Sequence, residues 1–169
     1  MDATALRALQ APIKDQYRHD PNAAVITLKA QGTLDDQHIA CKVETGRALA
    51  VAGLHPATGG SGAELCSGDM LLEALVACAG VTLKAVATAL EIPLRNGNVK
   101  AEGDLDFRGT LGVDKAAPVG FRAIRLNFDI DTDAPQEKLD QLLKLTERYC
   151  VVFQTLANKP ELTVAAKRA

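Results

Sequence analysis

The chain lacks an excess of charge of either sign: 21 acidic residues stand against 19 basic ones, with a net charge of −2 and a pI near 5.9. That balance gives no electropositive footprint for nucleic acid, and no polybasic cluster suits an anionic lipid surface, so neither is an expected partner. Metal-ligand spacing is missing as well. There is no CxxC or HxxxH, and His19, His38 and His55 are scattered, so neither a zinc site nor a cofactor is expected. Gly59-Gly60-Ser61-Gly62 is followed by no Lys-Ser/Thr and does not have the order of a dinucleotide fingerprint, which leaves a flexible lid or linker. No Gly-x-Ser-x-Gly elbow supports hydrolase chemistry. Internal repeats and low-complexity tracts are absent. Asp2, Arg7 and Lys14 interrupt the first residues, unlike a signal peptide. The longest apolar run is broken by Glu73 and Lys84 and reads as a core helix too short to span a bilayer comfortably. A cytoplasmic location is expected.

What is present suits one compact α+β domain. The 169 residues are 47% hydrophobic and 24% charged, enough to bury a sizeable core. Leu6, Leu9 and Ile13 recur at helical spacing, giving a short arm that ends near Pro12. Residues 1–20 are therefore read as an N-terminal helical arm and 21–169 as the domain. Early strands are expected at Val25–Leu28, around Ile39-Cys41-Val43 and at Ala48–Val51, with turns at Gln31-Gly32-Thr33, Asp35-Asp36 and Thr45-Gly46. Residues 53–68 form a Gly- and Pro-containing loop. Lys100–Phe107 and Phe121–Asp131 alternate as half-buried strands. Asp133, with Gln136 three residues on, marks an N-cap for a helix buried through Leu139, Leu142 and Leu143. Glu161–Ala166 reads as a last strand.

The long helix, about Asp69 to Glu91, shows two stripes. Leu72, Val76, Ala79, Leu83, Val86 and Leu90 suit a sheet, whereas Ala74, Cys78, Ala85 and Ala89 are small and admit a second helix closely. Cys150, 72 residues after Cys78, ends the next helix within about 20° of the direction of Leu139. Both thiols point inward and can meet. Buried free cysteine is commonly just a small hydrophobe, and Cys41 reads as core in that sense. In a reducing compartment, however, a pair that oxidises is more often redox-active than a permanent staple. Cys66, beside Ser67 at the helix start, is a further candidate for a low-pKa thiol.

The run Ser67-Gly68-Asp69-Met70-Leu71-Leu72-Glu73-Ala74-Leu75-Val76-Ala77-Cys78, together with Glu147-Arg148-Tyr149-Cys150-Val151-Val152-Phe153-Gln154-Thr155-Leu156, resembles the OsmC/Ohr family of osmotically inducible and organic hydroperoxide resistance proteins. The resemblance covers roughly Ala23 to Val164. It implies an α+β, intertwined homodimer in which antiparallel sheets pack on a long central helix. It also implies a thiol-dependent hydroperoxide reductase. Cys78 would attack a small organic hydroperoxide or hydrogen peroxide, Cys150 would resolve by disulfide, and a dithiol would reduce both. The alternative is a non-catalytic homodimeric small-ligand-binding protein of the same fold.

A thiol of pKa about 8.5 is about 3% thiolate at pH 7, and one of pKa about 6.5 is about 75% thiolate. Burial mid-helix raises the Cys78 pKa, so a cation or hydrogen-bond donor must come from elsewhere in the fold. The family pattern carries an Arg in the first strand-to-strand turn and a Glu ten residues before the attacking Cys. Here the turn reads Gln31-Gly32-Thr33-Leu34 and the Glu position is Gly68. Asp69 or Glu73, and Arg47 or Arg18, are the available substitutes, although both acids point away from Cys78 on the helix.

Overall fold

A computed structural model describes residues 2–19, 31–34, 40–44 and 49–168. The strand expected at Val25–Leu28 and the turns at Asp35-Asp36 and Thr45-Gly46 lie outside the described residues. Helix α1 (Ala3–His19) comes first, then strands β1 (Gln31–Leu34), β2 (Ala40–Glu44) and β3 (Leu49–Gly53). A 3-10 turn at Pro56–Thr58 leads to the two-residue β4 (Leu65–Cys66) and the long helix α2 (Ser67–Ala89). Strand β5 (Asn96–Asp104), a single turn α3 (Phe107–Thr110), strand β6 (Ala123–Asp131) and helices α4 (Gln136–Tyr149) and α5 (Val151–Ala157) complete the order. Sheet order is β1-β2-β3-β4, antiparallel except for a parallel β3–β4 pairing, and β5–β6 form a separate antiparallel pair.

The period-two reading of β6 holds residue by residue. Ile124, Leu126, Phe128 and Ile130 turn inward, while Arg125, Asn127 and Asp129 face solvent. On the solvent face Arg125 grips Asp104 across the pair, and Lys100 meets Glu102 at 2.8 Å. The inner face lies on α2, which buries Leu75, Ala79, Leu83 and Ala87. These residues are four apart, so the sheet-facing stripe is rotated from the expected one and excludes Leu72 and Val76. A helix apolar on nearly every side has no single preferred face by pattern alone, and the partners decide. At 23 residues α2 is also long and apolar enough to cross a bilayer, contrary to the length argument from sequence. Its contacts with β5, β6 and α4 mark it as a core helix of this fold.

Other differences have local causes. Pro12 lies inside α1 rather than at its end. Gln31–Thr33 is strand, with Thr33 opposite Lys42, and not turn. Asp133 does not cap α4; the N-cap is Pro135, and Asp133 is held with Asp131 by the Arg95 guanidinium. Glu161–Ala166 has no regular structure and Val164 is 99% exposed, and no strand among the described residues pairs with this segment. The Gly59-Gly60 pair is part of a built turn: Gly59 has φ +90°, and a Cβ on Gly60 would fall 1.7 Å from the Leu54 carbonyl oxygen. The end of α2 places Glu91 at φ 57°, and the Ile92 N–H reaches back to the Ala87 carbonyl at 2.9 Å, a Schellman closure that seats Ile92 in the core.

Candidate functional site

The decisive local event is a one-residue break. Helix α4 carries its buried stripe through Leu142, Thr146 and Cys150, four residues apart. At Cys150 the backbone turns extended, φ −73° and ψ 107°, so this residue ends α4 and starts α5. Its N–H donates to the Thr146 carbonyl and its carbonyl accepts from Gln154, both at 2.9 Å. The Gln154 side chain then donates to the Glu147 carbonyl at 2.8 Å, tying the two helices across the joint. A new helix start leaves first-turn N–H groups without intrahelical partners. Those of Val151, Val152 and Phe153 lie near the two sulfurs and act to lower their pKa values.

Cys78 projects from α2 into this joint and packs with Leu75, Ala79, Cys150, Val152 and Phe153. Cys150 is fully buried, and Cys78 is half-buried. Burial acts to raise the Cys78 pKa, as the sequence argument requires. Against it stand the Val152 N–H, the Cys150 thiol, the Val151 N–H and the Thr82 hydroxyl, all stabilising the thiolate, and together they hold Cys78 below its ordinary value. The Thr82 proton is chiefly engaged with the Cys78 carbonyl at 2.8 Å, consistent with its small effect at the sulfur. Cys150 moves the other way. Burial pushes its thiol up, and its bond to Cys78 keeps the proton on Cys150, outweighing the N–H groups of Phe153 and Val152. The arrangement is thus two sulfurs packed in one cluster whose acidities are pushed apart, Cys78 down and Cys150 up.

The structure therefore brings Cys78 and Cys150 together. It does not bring in the other candidates. Cys66, the N-cap residue of α2, lines a separate cleft of about 380 Å³ beside His55, whose ring stacks on Phe107 at 4.9 Å. Asp69 and Glu73 are exposed, and neither acts on Cys78; Asp69 sits in the first turn of α2, where a negative charge complements the helix dipole. Arg47 and the side chains of Arg18 and Cys41 lie outside the described residues. Sequence reasoning missed the donors from Val151 and Val152. Backbone N–H groups carry no residue signature, and no Gly or Pro announces the break at Cys150. Among the described residues no three His, Cys, Asp or Glu side chains gather as a metal set.

A sequence profile described as OsmC-like protein matches residues 60–165. The chain belongs to the OsmC-like protein family. No curated protein sequence matches this OsmC-like chain. Among solved structures it is similar to an OsmC-like protein from Mycoplasma pneumoniae, with TM-score 0.65 and 16% identity, covering 79% of this chain and 89% of that one. It is also similar to an organic hydroperoxide resistance protein from Legionella pneumophila, with TM-score 0.61 and 18% identity over 79% and 91% of the two chains. A third, an organic hydroperoxide resistance protein from Elizabethkingia anophelis, has TM-score 0.60 and 17% identity over 79% and 91%. At these identities the likeness establishes the OsmC-like α+β fold.

Proposed function

We propose that this OsmC-like protein is a cytoplasmic, homodimeric, thiol-dependent hydroperoxide reductase with Cys78 as attacking and Cys150 as resolving residue. One observation carries the reading: Cys78 packs against the fully buried Cys150 at the α4–α5 joint, the thiol that would resolve it and one of the groups that lower its pKa. The Cys78 thiolate attacks the outer peroxide oxygen, the O–O bond breaks, and the alkoxide leaves and takes a proton to become the alcohol. Cys78 is then a sulfenic acid. The Cys150 sulfur displaces its hydroxyl, which departs as water, and an S–S bond forms. A dithiol reduces that bond through a mixed disulfide and becomes a cyclic disulfide itself. The net change is one peroxide and one dithiol to alcohol, water and oxidised dithiol. The hydroperoxide resistance named for two structural relatives supports the substrate class.

Stopped-flow mixing with cumene hydroperoxide and a dithiol tests the assignment, with mass spectrometry after one equivalent of peroxide to find the joined sulfurs. Turnover should vanish in Cys78→Ser, and the oxidised wild type should lose two hydrogens with Cys78 and Cys150 in one cross-linked peptide pair. Undiminished turnover in Cys78→Ser would refute the role. Gly68, where the family pattern has Glu, favours the second reading, a non-catalytic small-ligand-binding homodimer. Thiol titration separates the two, since unreactive cysteines with no disulfide after peroxide support the binder.

A further inference from the structure

The geometry points to the cleft beside Cys66 as a binding site for an uncharged planar aromatic molecule that carries a carbonyl group. The inference is independent of the redox reading. Neither Cys78 nor Cys150 lines this cleft, and Gly68, which does, precedes Cys78 by ten residues, about 15 Å along α2. The chain has only four Phe and two Tyr, yet Phe107 and Phe121 both line this one cavity of about 380 Å³, together with the His55 ring that stacks on Phe107. Two glycines make room for it. A Cβ on Gly103 would fall 2.4 Å from Phe121 Cε1, so the Phe121 ring lies over a strand position where any larger residue would displace it. A Cβ on Gly68 would stand 3.6 Å from each of Cys66 Sγ, Leu105 Cδ1 and Phe121 Cζ, so a side chain at this position of α2 would enter the space that the three groups enclose.

Both walls are held by the chain itself. The His55 carbonyl accepts from the Thr58 N–H and the Thr58 hydroxyl, each at 2.8 Å, and from the Gly60 N–H at 3.1 Å, while its Nδ1 accepts from the Ala57 N–H at 3.0 Å. A neutral imidazole whose Nδ1 is an acceptor carries its proton on Nε2. His55 therefore keeps one N–H, which no acceptor among the described residues takes, and in this tautomer it is no base for the Cys66 thiol. The facing loop is closed on itself, since a Cβ on Gly109 would fall 2.5 Å from the Pro118 carbonyl oxygen. Among the described residues no Asp, Glu, Lys or Arg lines the cleft, so nothing there offsets the desolvation of an ionic ligand. Ring walls favour an aromatic body over an aliphatic one of equal area, and walls already in place cost little to order. One fixed N–H donor without a charged neighbour asks for an uncharged acceptor, which a carbonyl supplies.

Equilibrium dialysis of the full-length protein with 2-acetylnaphthalene tests the site without any redox chemistry. Saturable binding is expected for wild type, with the fully saturated decalin ketone held about fivefold more weakly. Gly68→Met, whose Cβ meets only ordinary contacts, fills the cleft and should abolish binding with far-ultraviolet dichroism unchanged. His55→Phe keeps a ring against Phe107 and deletes the N–H, so affinity for the ketone should fall about fivefold while that for 2-ethylnaphthalene stays the same. In the wild type, bound ketone should slow maleimide labelling of Cys66 and leave that of Cys78 unaltered, read by peptide mass spectrometry, which decides the location even where Gly68→Met does not fold. Absence of saturable binding, equal affinity for the decalin ketone, undiminished binding in a folded Gly68→Met, or protection of Cys78 in place of Cys66 overturns the inference. Equal weakening of ketone and hydrocarbon in His55→Phe overturns the carbonyl assignment.

Discussion

At the scale of single residues, the chemistry rests on an asymmetry between two identical side chains. Cys78 is held below its ordinary pKa by the Val152 and Val151 N–H groups and the Cys150 thiol acting against its burial, whereas burial and the contact with Cys78 push Cys150 up in spite of the Phe153 and Val152 N–H groups. Iodoacetamide labelling at neutral pH, followed by peptide mass spectrometry, should therefore mark Cys78 first. Cys150→Ala removes the S–H donor and should shift the Cys78 labelling profile to higher pH; an unmoved profile would show that the contact does not matter. A different residue sets an acid limit. The Arg108 guanidinium, 2.6 Å away, holds the Asp106 carboxyl down at about 2 against 3.8 when free. A depressed carboxyl contributes stability that is complete above the unfolded value and lost as pH falls through the folded one. Asp106 also caps α3 through the Arg108 N–H at 3.2 Å. Amide exchange in α3 should accordingly accelerate between about pH 4 and pH 2, and Asp106→Asn should flatten that response.

At the scale of elements, the break between α4 and α5 is the device that supplies anion-stabilising donors inside an apolar core. Val151 is the first residue of α5, and the extended backbone of Cys150 before it is compatible with a following proline. Val151→Pro thus preserves the helix start while deleting one N–H aimed at Cys78. Loss of about 1 kcal/mol of thiolate stabilisation would lower the anion population about fivefold. Alkylation of Cys78 at pH 7 should slow accordingly, with far-ultraviolet dichroism unchanged. The opposite substitution applies to α1, where Pro12 interrupts a helix interior. Pro12→Ala restores a backbone hydrogen bond and should stabilise α1 by up to about 3 kcal/mol, read as slower amide exchange across that helix. Both features bear on what the sequence reveals. The long helix, the β5–β6 alternation and the inward Cys78 and Cys150 are visible in it because each is a strong period of one residue type. The phase of α2, the tolerance of Pro12 and the missing strand at Glu161–Ala166 are not, since they depend on neighbours distant in sequence. The site divides likewise, with sulfur atoms named by side chains and their donors supplied by an unnamed backbone.

At the scale of the whole molecule, the single chain leaves apolar surface uncovered on one side of its central helix. Val81 is 73% and Val151 68% exposed, and Leu71, Tyr149 and Leu156 join them in the exposed set. Three of these five flank the sulfur pair in sequence or on α2, so whatever covers this face also closes the site. Isolated exposed apolar residues are ordinary, but a group drawn from α2, the helix joint and α5 marks an association surface. The family resemblance implies a second copy of the chain as its occupant. An isologous contact places each residue against its own counterpart's surroundings, so one buried charge is introduced twice. Val81→Asp should then convert a dimer to monomers in sedimentation velocity, because two carboxylates would be desolvated without partners. The wild-type Tm should rise with protein concentration, and the variant should melt lower with no such dependence. Peroxide turnover should fall in the same variant even though Val81 makes no contact assigned to the chemistry, since water would enter around the thiolate. A wild-type protein that sediments as a monomer at micromolar concentration would remove this account and leave the Cys78–Cys150 pair open to solvent on that side.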